Sequence, residues 1–136
     1  MEIEEKKSVE ILAKEYLQKE GIEYTDLFDD GNMFFKYQGA GFYFDIDKED
    51  PNFFRLVMPS IYKIDNDRIK VLETMLLLTG KKKALKAELG GDHVWLSIEM
   101  FIDPNSNLDI FSEHMKRSLD ILHQGRLELL ARLDMS

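Results

Sequence analysis

The sequence predicts an α+β domain, a five-stranded, mainly antiparallel sheet with helices packed on one face, in the order α-β-β-β-α-β-β-α. Three observations carry this. First, residues alternate on both sides of Gly90-Gly91-Asp92: Val94, Leu96, Ile98, Met100 and Ile102 fall on one face, and His93, Trp95, Ser97, Glu99 and Phe101 on the other. Period-two patterning on both arms of a Gly-Gly turn marks a β-hairpin with one buried face. Second, three segments carry apolar stripes at helical spacing and supply the cover that face needs. Third, three short alternating runs lie between the first two of those helices.

The chain has 136 residues, which fits one domain spanning 1–136 and buries ~68% of its unfolded surface without metal or disulfide help. It is 44% hydrophobic and 11% aromatic, a globular composition. Cysteine is absent, which excludes disulfides and Cys-ligated zinc. No apolar h-region follows Met1, and Glu2, Glu4 and Glu5 do not suit a transit peptide. The longest apolar run, Met75–Leu78, is far short of the ~20 residues that span a bilayer. A cytoplasmic protein without membrane insertion is expected. With 18 basic and 26 acidic residues the net charge is −8, the wrong sign for displacing counterions from phosphates, so no nucleic-acid binding is expected. Lys81-Lys82-Lys83 is the one basic run, and reads as cations meeting the negative end of a helix.

Glu4 to Glu20 reads as the first helix, with Val9, Leu12, Ala13, Tyr16 and Leu17 as its stripe and Gly21 as its stop. Ile22 to Asp30 reads as a connection, with Leu27 and Phe28 tucked under the domain edge. Turn chemistry at Asp29–Asn32 precedes a strand over Met33–Gln38, and Gly39-Ala40-Gly41 is expected to turn into Phe42–Asp47. In that second run Phe42, Phe44 and Ile46 face one way, and Tyr43, Asp45 and Asp47 the other. The third run, Phe53–Met58, turns Phe54, Leu56 and Met58 inward and is expected to end at Pro59. Asp65-Asn66-Asp67 caps the central helix, whose stripe is Ile69, Leu72, Met75, Leu76 and Thr79, widened by Val71, Leu77 and Leu78 and ended at Gly80. In the last helix Ser106-x-x-Asp109 resembles a capping box, Leu108, Phe111, Met115, Leu119 and Leu122 line one face, and Gly125 is expected to kink or loosen it.

This order, length and acidity resemble the type III secretion chaperone-like fold, and within it the YbjN-type proteins named as bacterial sensory transduction regulators. Asn66 at the head of the central helix, the Ile69–Leu78 stripe, Ala84–Leu89, Gly90-Gly91-Asp92 and Val94–Ile102 carry the likeness. Where the family often places a second Asn in the central helix, this chain has Thr74 and Thr79. The resemblance implies a non-catalytic, chaperone-like or regulatory domain that binds a segment of a partner protein as a homodimer.

No motif compels a reaction. Asp45 to Asp50 begins like a calcium loop, but Asp50 stands where Gly is needed and Leu56 where Glu is needed. His114 and His123 are nine residues apart, about 900° on a helix, so they point to opposite sides, and His93 has no second ligand nearby. Glu88 and Glu99 can approach as partners on neighbouring strands, which acid–base chemistry could use or an ordinary charge mosaic could absorb. No catalytic residue, cofactor or metal ligand is assigned, and no enzyme is expected; a ligand binder or minor enzyme with a pocket between sheet and helices is the alternative. Strict alternation sends Tyr43, Phe53, Trp95 and Phe101 to the face away from the helices, which makes them candidates for binding a partner. Val71, Met75, Leu77 and Leu78 are the candidates for a dimer contact, because the central helix carries more apolar surface than one packing contact consumes.

Overall fold

The side chain of Ser8 accepts the free N–H of Ile11 and so starts α1 (Val9–Lys19), and Gly21, at φ +68°, takes the left-handed conformation just past its end. The computed structural model describes residues 7–27 and 31–134; the expectations at Glu4–Lys6, the Leu27 side chain, Phe28 and the Asp29-Asp30 turn lie outside them. After α1 come β1 (Tyr24–Leu27), β2 (Asn32–Tyr37), β3 (Ala40–Phe44), β4 (Phe53–Lys63), α2 (Arg68–Lys81), β5 (Leu85–Gly90), β6 (His93–Phe101) and α3 (Leu108–Asp134). The strands form one antiparallel sheet in the order β1-β2-β3-β4-β6-β5.

The sheet therefore has six strands where the sequence predicts five. The additional strand is β1, paired with β2 from Tyr24↔Phe35 to Leu27↔Asn32. Four residues including Thr25 and Asp26 are too short and polar to show a period, and the pairing comes from β2. The turn between β2 and β3 is Gln38-Gly39, with φ of 50° and 79°, and not Gly39-Ala40-Gly41. Pro59 does not end β4, which continues to Lys63 through a register irregularity between Met58 and Tyr62 that holds Ser60 at φ +50°. Because the β3 ladder reaches only Tyr43↔Val57, the missing N–H of Pro59 breaks no pairing on that side.

The helices depart from the sequence expectation at three points. The Asp67 carboxylate caps α2 by accepting from Lys70 N at 3.1 Å, but the helix passes Gly80 to Lys81. At the head of α3 the cap is Asn107, which accepts from Ile110 N at 2.9 Å, and not Ser106. Gly125 neither kinks nor loosens α3. It lets the helix settle on the sheet, since a Cβ there would fall 2.6 Å from Leu85 Cδ1.

All three helices pack on the sheet face that carries Met33, Phe35, Phe42, Phe44, Phe54, Leu56, Val94, Leu96 and Ile98. Phe111 of α3 sits among Tyr16, Phe44 and Phe54, with ring centroids 5.7–6.4 Å apart. Burial, with the nearby charge of Glu20, pushes the Tyr16 hydroxyl up to about 12. At the outer edge, the side chain of Thr79 on α2 accepts from the backbone N–H of Ala87 on β5 at 3.1 Å. No described helix is long and apolar enough to cross a membrane.

Candidate interaction face on the open side of the sheet

Alternation that sends Phe54, Leu56 and Ile98 to the helices sends Phe53, Arg55, Val57, Ser97, Glu99 and Phe101 to the opposite face, as the register shows. The four partner-binding candidates do share this face, in two pairs. Tyr43 and Trp95 meet edge to face at 6.1 Å, and Phe53 and Phe101, direct cross-strand partners, meet at 5.8 Å. Because β4 lies between β3 and β6, the first pair closes over it, and Val57 beneath is fully buried. Phe101 is 76% exposed, the most open aromatic of the group. Phe34 continues the face onto β2, opposite Tyr43 and over Gly41, where a Cβ would sit 3.0 Å from its ring.

Arg55 separates the two aromatic pairs. Its Nε donates to Glu99 at 3.0 Å, and its two Nη groups donate to Asp45 and Glu88. The side chain is only 16% exposed, so a charged group lies nearly sealed within the face. Burial works against its charge, but the Asp45 hydrogen bond and the charges of Glu88 and Asp45 outweigh that and hold the guanidinium above its ordinary value. Lys86 adds a second cation 3.5 Å from Glu99. Glu88 and Glu99 thus converge on one guanidinium instead of on each other. Each carboxylate is thereby ion-paired to the same cation. Burial raises the Tyr43 hydroxyl, while Arg55 pulls the other way. Among the described residues no group of three or more His, Asp or Glu is placed to hold a metal ion.

The dimer-contact candidates need correction. Val71, Met75 and Leu78 are core residues, buried with Thr74 on the inner side of α2. Leu77 alone of the four is exposed. Beside Leu77, the apolar surface left outside is Ile69 (71% exposed), Leu72 and Leu76 (75% exposed), an i, i+3, i+7 set about half a turn from the buried one. The sequence reading takes Ile69, Leu72, Met75, Leu76 and Thr79 as the packed stripe; of these the structure buries only Met75, and the side facing the core is Val71, Thr74, Met75 and Leu78. Sequence reasoning also missed Arg55 as the centre of the open face, because its three partners lie 10, 33 and 44 residues away.

The fold is thus an α+β domain with three helices on one side of a six-stranded antiparallel sheet and, on the other, an aromatic face built around the ion-paired Arg55. No family profile and no curated protein matches the chain. Among solved structures it is similar to YbjN from E. coli, described as a "putative transcription regulator", with TM-score 0.70 and 10% identity over 89% of this chain and 90% of that one. It is also similar to an uncharacterized protein from Methanothermobacter thermautotrophicus, with TM-score 0.61 and 11% identity over 89% of this chain and 96% of that one. The chain has the fold of YbjN; at these identities the likeness extends to the fold alone.

Proposed function

We propose that this chain is a non-catalytic interaction module that assembles as a homodimer and holds a segment of a partner protein on the open face of its sheet. The observation that carries the reading is the arrangement of Tyr43, Trp95, Phe53 and Phe101 in two pairs around the neutralised Arg55, with Phe101 76% exposed. Large aromatics beside a satisfied arginine are the side chains that concentrate binding energy at protein interfaces. The exposed set Ile69, Leu72 and Leu76 on α2 supplies the surface for the dimer. A net charge of −8 sets the chain against direct contact with nucleic acid, so a regulatory role would act through protein.

The test places a photo-crosslinking amino acid at position 101 and, as a control, at the exposed position 116 on α3. Irradiation in native lysate is expected to give discrete adducts from position 101 and none of the same mass from 116. Identical adduct patterns from both positions would remove the open face from the reading.

A further inference from the structure

The one basic run lies where α2 passes into β5, beside α3. Lys81 and Lys82 are engaged: Glu128 of α3 stands 3.1 Å from the first and 3.6 Å from the second. The Lys81 hydrogen bond, with the charges of both lysines, holds the Glu128 carboxyl below its ordinary range. Lys83 and Arg117 have no carboxylate at ion-pair distance among the described residues. Both are exposed, and both line a cavity of about 230 Å³ between α3 and the entry to β5. Met100 and Ile121 give that cavity an apolar lining, with the fully buried Ile98 behind them and His114 beside them.

A shallower recess of about 370 Å³ shares Lys83, Arg117 and Ile121 with it and adds Lys81, Lys82 and Asp120. Among the residues that line this recess, Lys81, Lys82, Lys83 and Arg117 stand against one carboxylate, Asp120, with Glu128 paired to Lys81 and Lys82 at its edge, so the corner is basic on a chain whose net charge is −8. Ala84, on the same wall, is held at φ +61°, a conformation that costs a non-glycine residue energy and that clusters where ligands bind.

We propose that this cavity binds an amphiphilic anion, with its apolar chain against Met100 and Ile121 and its carboxylate or phosphate head between Lys83 and Arg117. The apolar wall removes the chain from water, and two cations with no ion-pair partner among the described residues meet the head, Arg117 with the forked geometry that suits either anion. The cavity lies on the helix side of the sheet, opposite Trp95 and Phe101, so it stands or falls apart from the interaction face.

The experiment follows the Ile98, Met100 and Ile121 methyl resonances of the full chain while octanoate, octyl phosphate, octanol or inorganic phosphate is added below micellar concentrations. Saturable shifts are expected with octanoate or octyl phosphate, the tighter of the two identifying the head. Octanol should bind at least about tenfold more weakly, and inorganic phosphate should leave the methyls in place. Arg117→Gln and Lys83→Gln change exposed side chains, so the fold is retained, and each should weaken octanoate about tenfold, roughly 1.4 kcal/mol. Octanol binding as tightly as octanoate, unchanged affinity in both variants, or no shift at all would overturn the proposal. Equal shifts at Ile69 and Leu72, on the exposed side of α2, would reveal surface adsorption and overturn it too.

Discussion

The indole of Trp95 lies so close to the backbone of Gly90 that a Cβ at Gly90 would fall 2.6 Å from Nε1. The two residues stand on opposite arms of the β5–β6 hairpin, near its turn. Gly90 adopts no positive φ, so its role is to leave room for the ring. Gly90→Ala is expected to displace the indole and cost about 1–3 kcal/mol by overpacking. Urea denaturation gives the loss, and a red shift of the single tryptophan's emission reports the displaced ring.

Arg55 makes the second prediction. Its removal leaves Asp45, Glu88 and Glu99 gathered without their common partner. Arg55→Met should cost about 1–2 kcal/mol, less than the loss of a partner from a fully buried cluster, because the carboxylates left behind are 30–39% exposed. Arg55→Lys keeps the charge but not the fork, and should recover only part of it. Equal stability of Arg55→Met and the native chain in urea would show that the cluster contributes nothing.

His123 predicts a pH dependence. Burial between the rings of Tyr37 and Phe42, then the charge of Arg126, lowers its pKa, although a hydrogen bond to the Tyr37 backbone and the charge of Asp120 act the other way. In the unfolded chain the imidazole takes up its proton near 6.5, and in the folded chain only at lower pH. Across that window the unfolded state binds more protons, so stability falls as pH falls from about 6.5 through the folded value, and then levels. His123→Gln should flatten this part of the stability profile. Glu128, also lowered, loses its contribution further down, as pH falls below the ordinary glutamate range through its own lowered value.

Gly125 and Leu85 should be coupled. Gly125→Ala puts a methyl 2.6 Å from Leu85 Cδ1 and is expected to cost about 1–3 kcal/mol. In the double variant with Leu85→Ala the clash disappears, so the combined loss should be less than the sum of the single ones. Additive losses would place the effect of Gly125 elsewhere.

Leu76→Glu tests the dimer. The residue is 75% exposed, so the substitution should leave the denaturation midpoint of the isolated fold nearly unchanged. Light scattering at tens of micromolar is expected to give a dimer mass for the native chain and a monomer mass for the variant. A monomer mass for the native chain would remove the dimer from the proposed function.

What the sequence made legible is what local patterning controls. The β5–β6 hairpin was readable because Val94, Leu96 and Ile98 alternate with Trp95, Ser97 and Glu99, and the same alternation placed all four aromatic candidates on one face. The phase of α2 was not readable, because Val71 and Leu78 differ from Ile69 and Leu76 only in which side the rest of the chain occupies. Strand β1 escaped for a related reason: a four-residue edge strand exists only because β2 pairs with it. The Arg55 cluster draws its carboxylates from three other strands or their ends, so no window along the chain contains it. Gly125 was noticed, but a glycine in a helix reads as a weakness until the neighbour that needs the space, Leu85, is known.

The hydrogen bond from Ala87 to Thr79 bears on the fate of the molecule at high concentration. Strand β5 is an outer edge of the sheet, and an edge strand offers its unused amides to any passing chain. Here one of those amides is already occupied by a hydroxyl from the chain's own α2. The opposite edge is a strand of only four residues, a poor template for further pairing. The sheet is therefore finite by construction. Its copies can meet through side chains, but a continuous ladder running from one molecule into the next, the route by which open sheets grow into fibres, is discouraged at both ends.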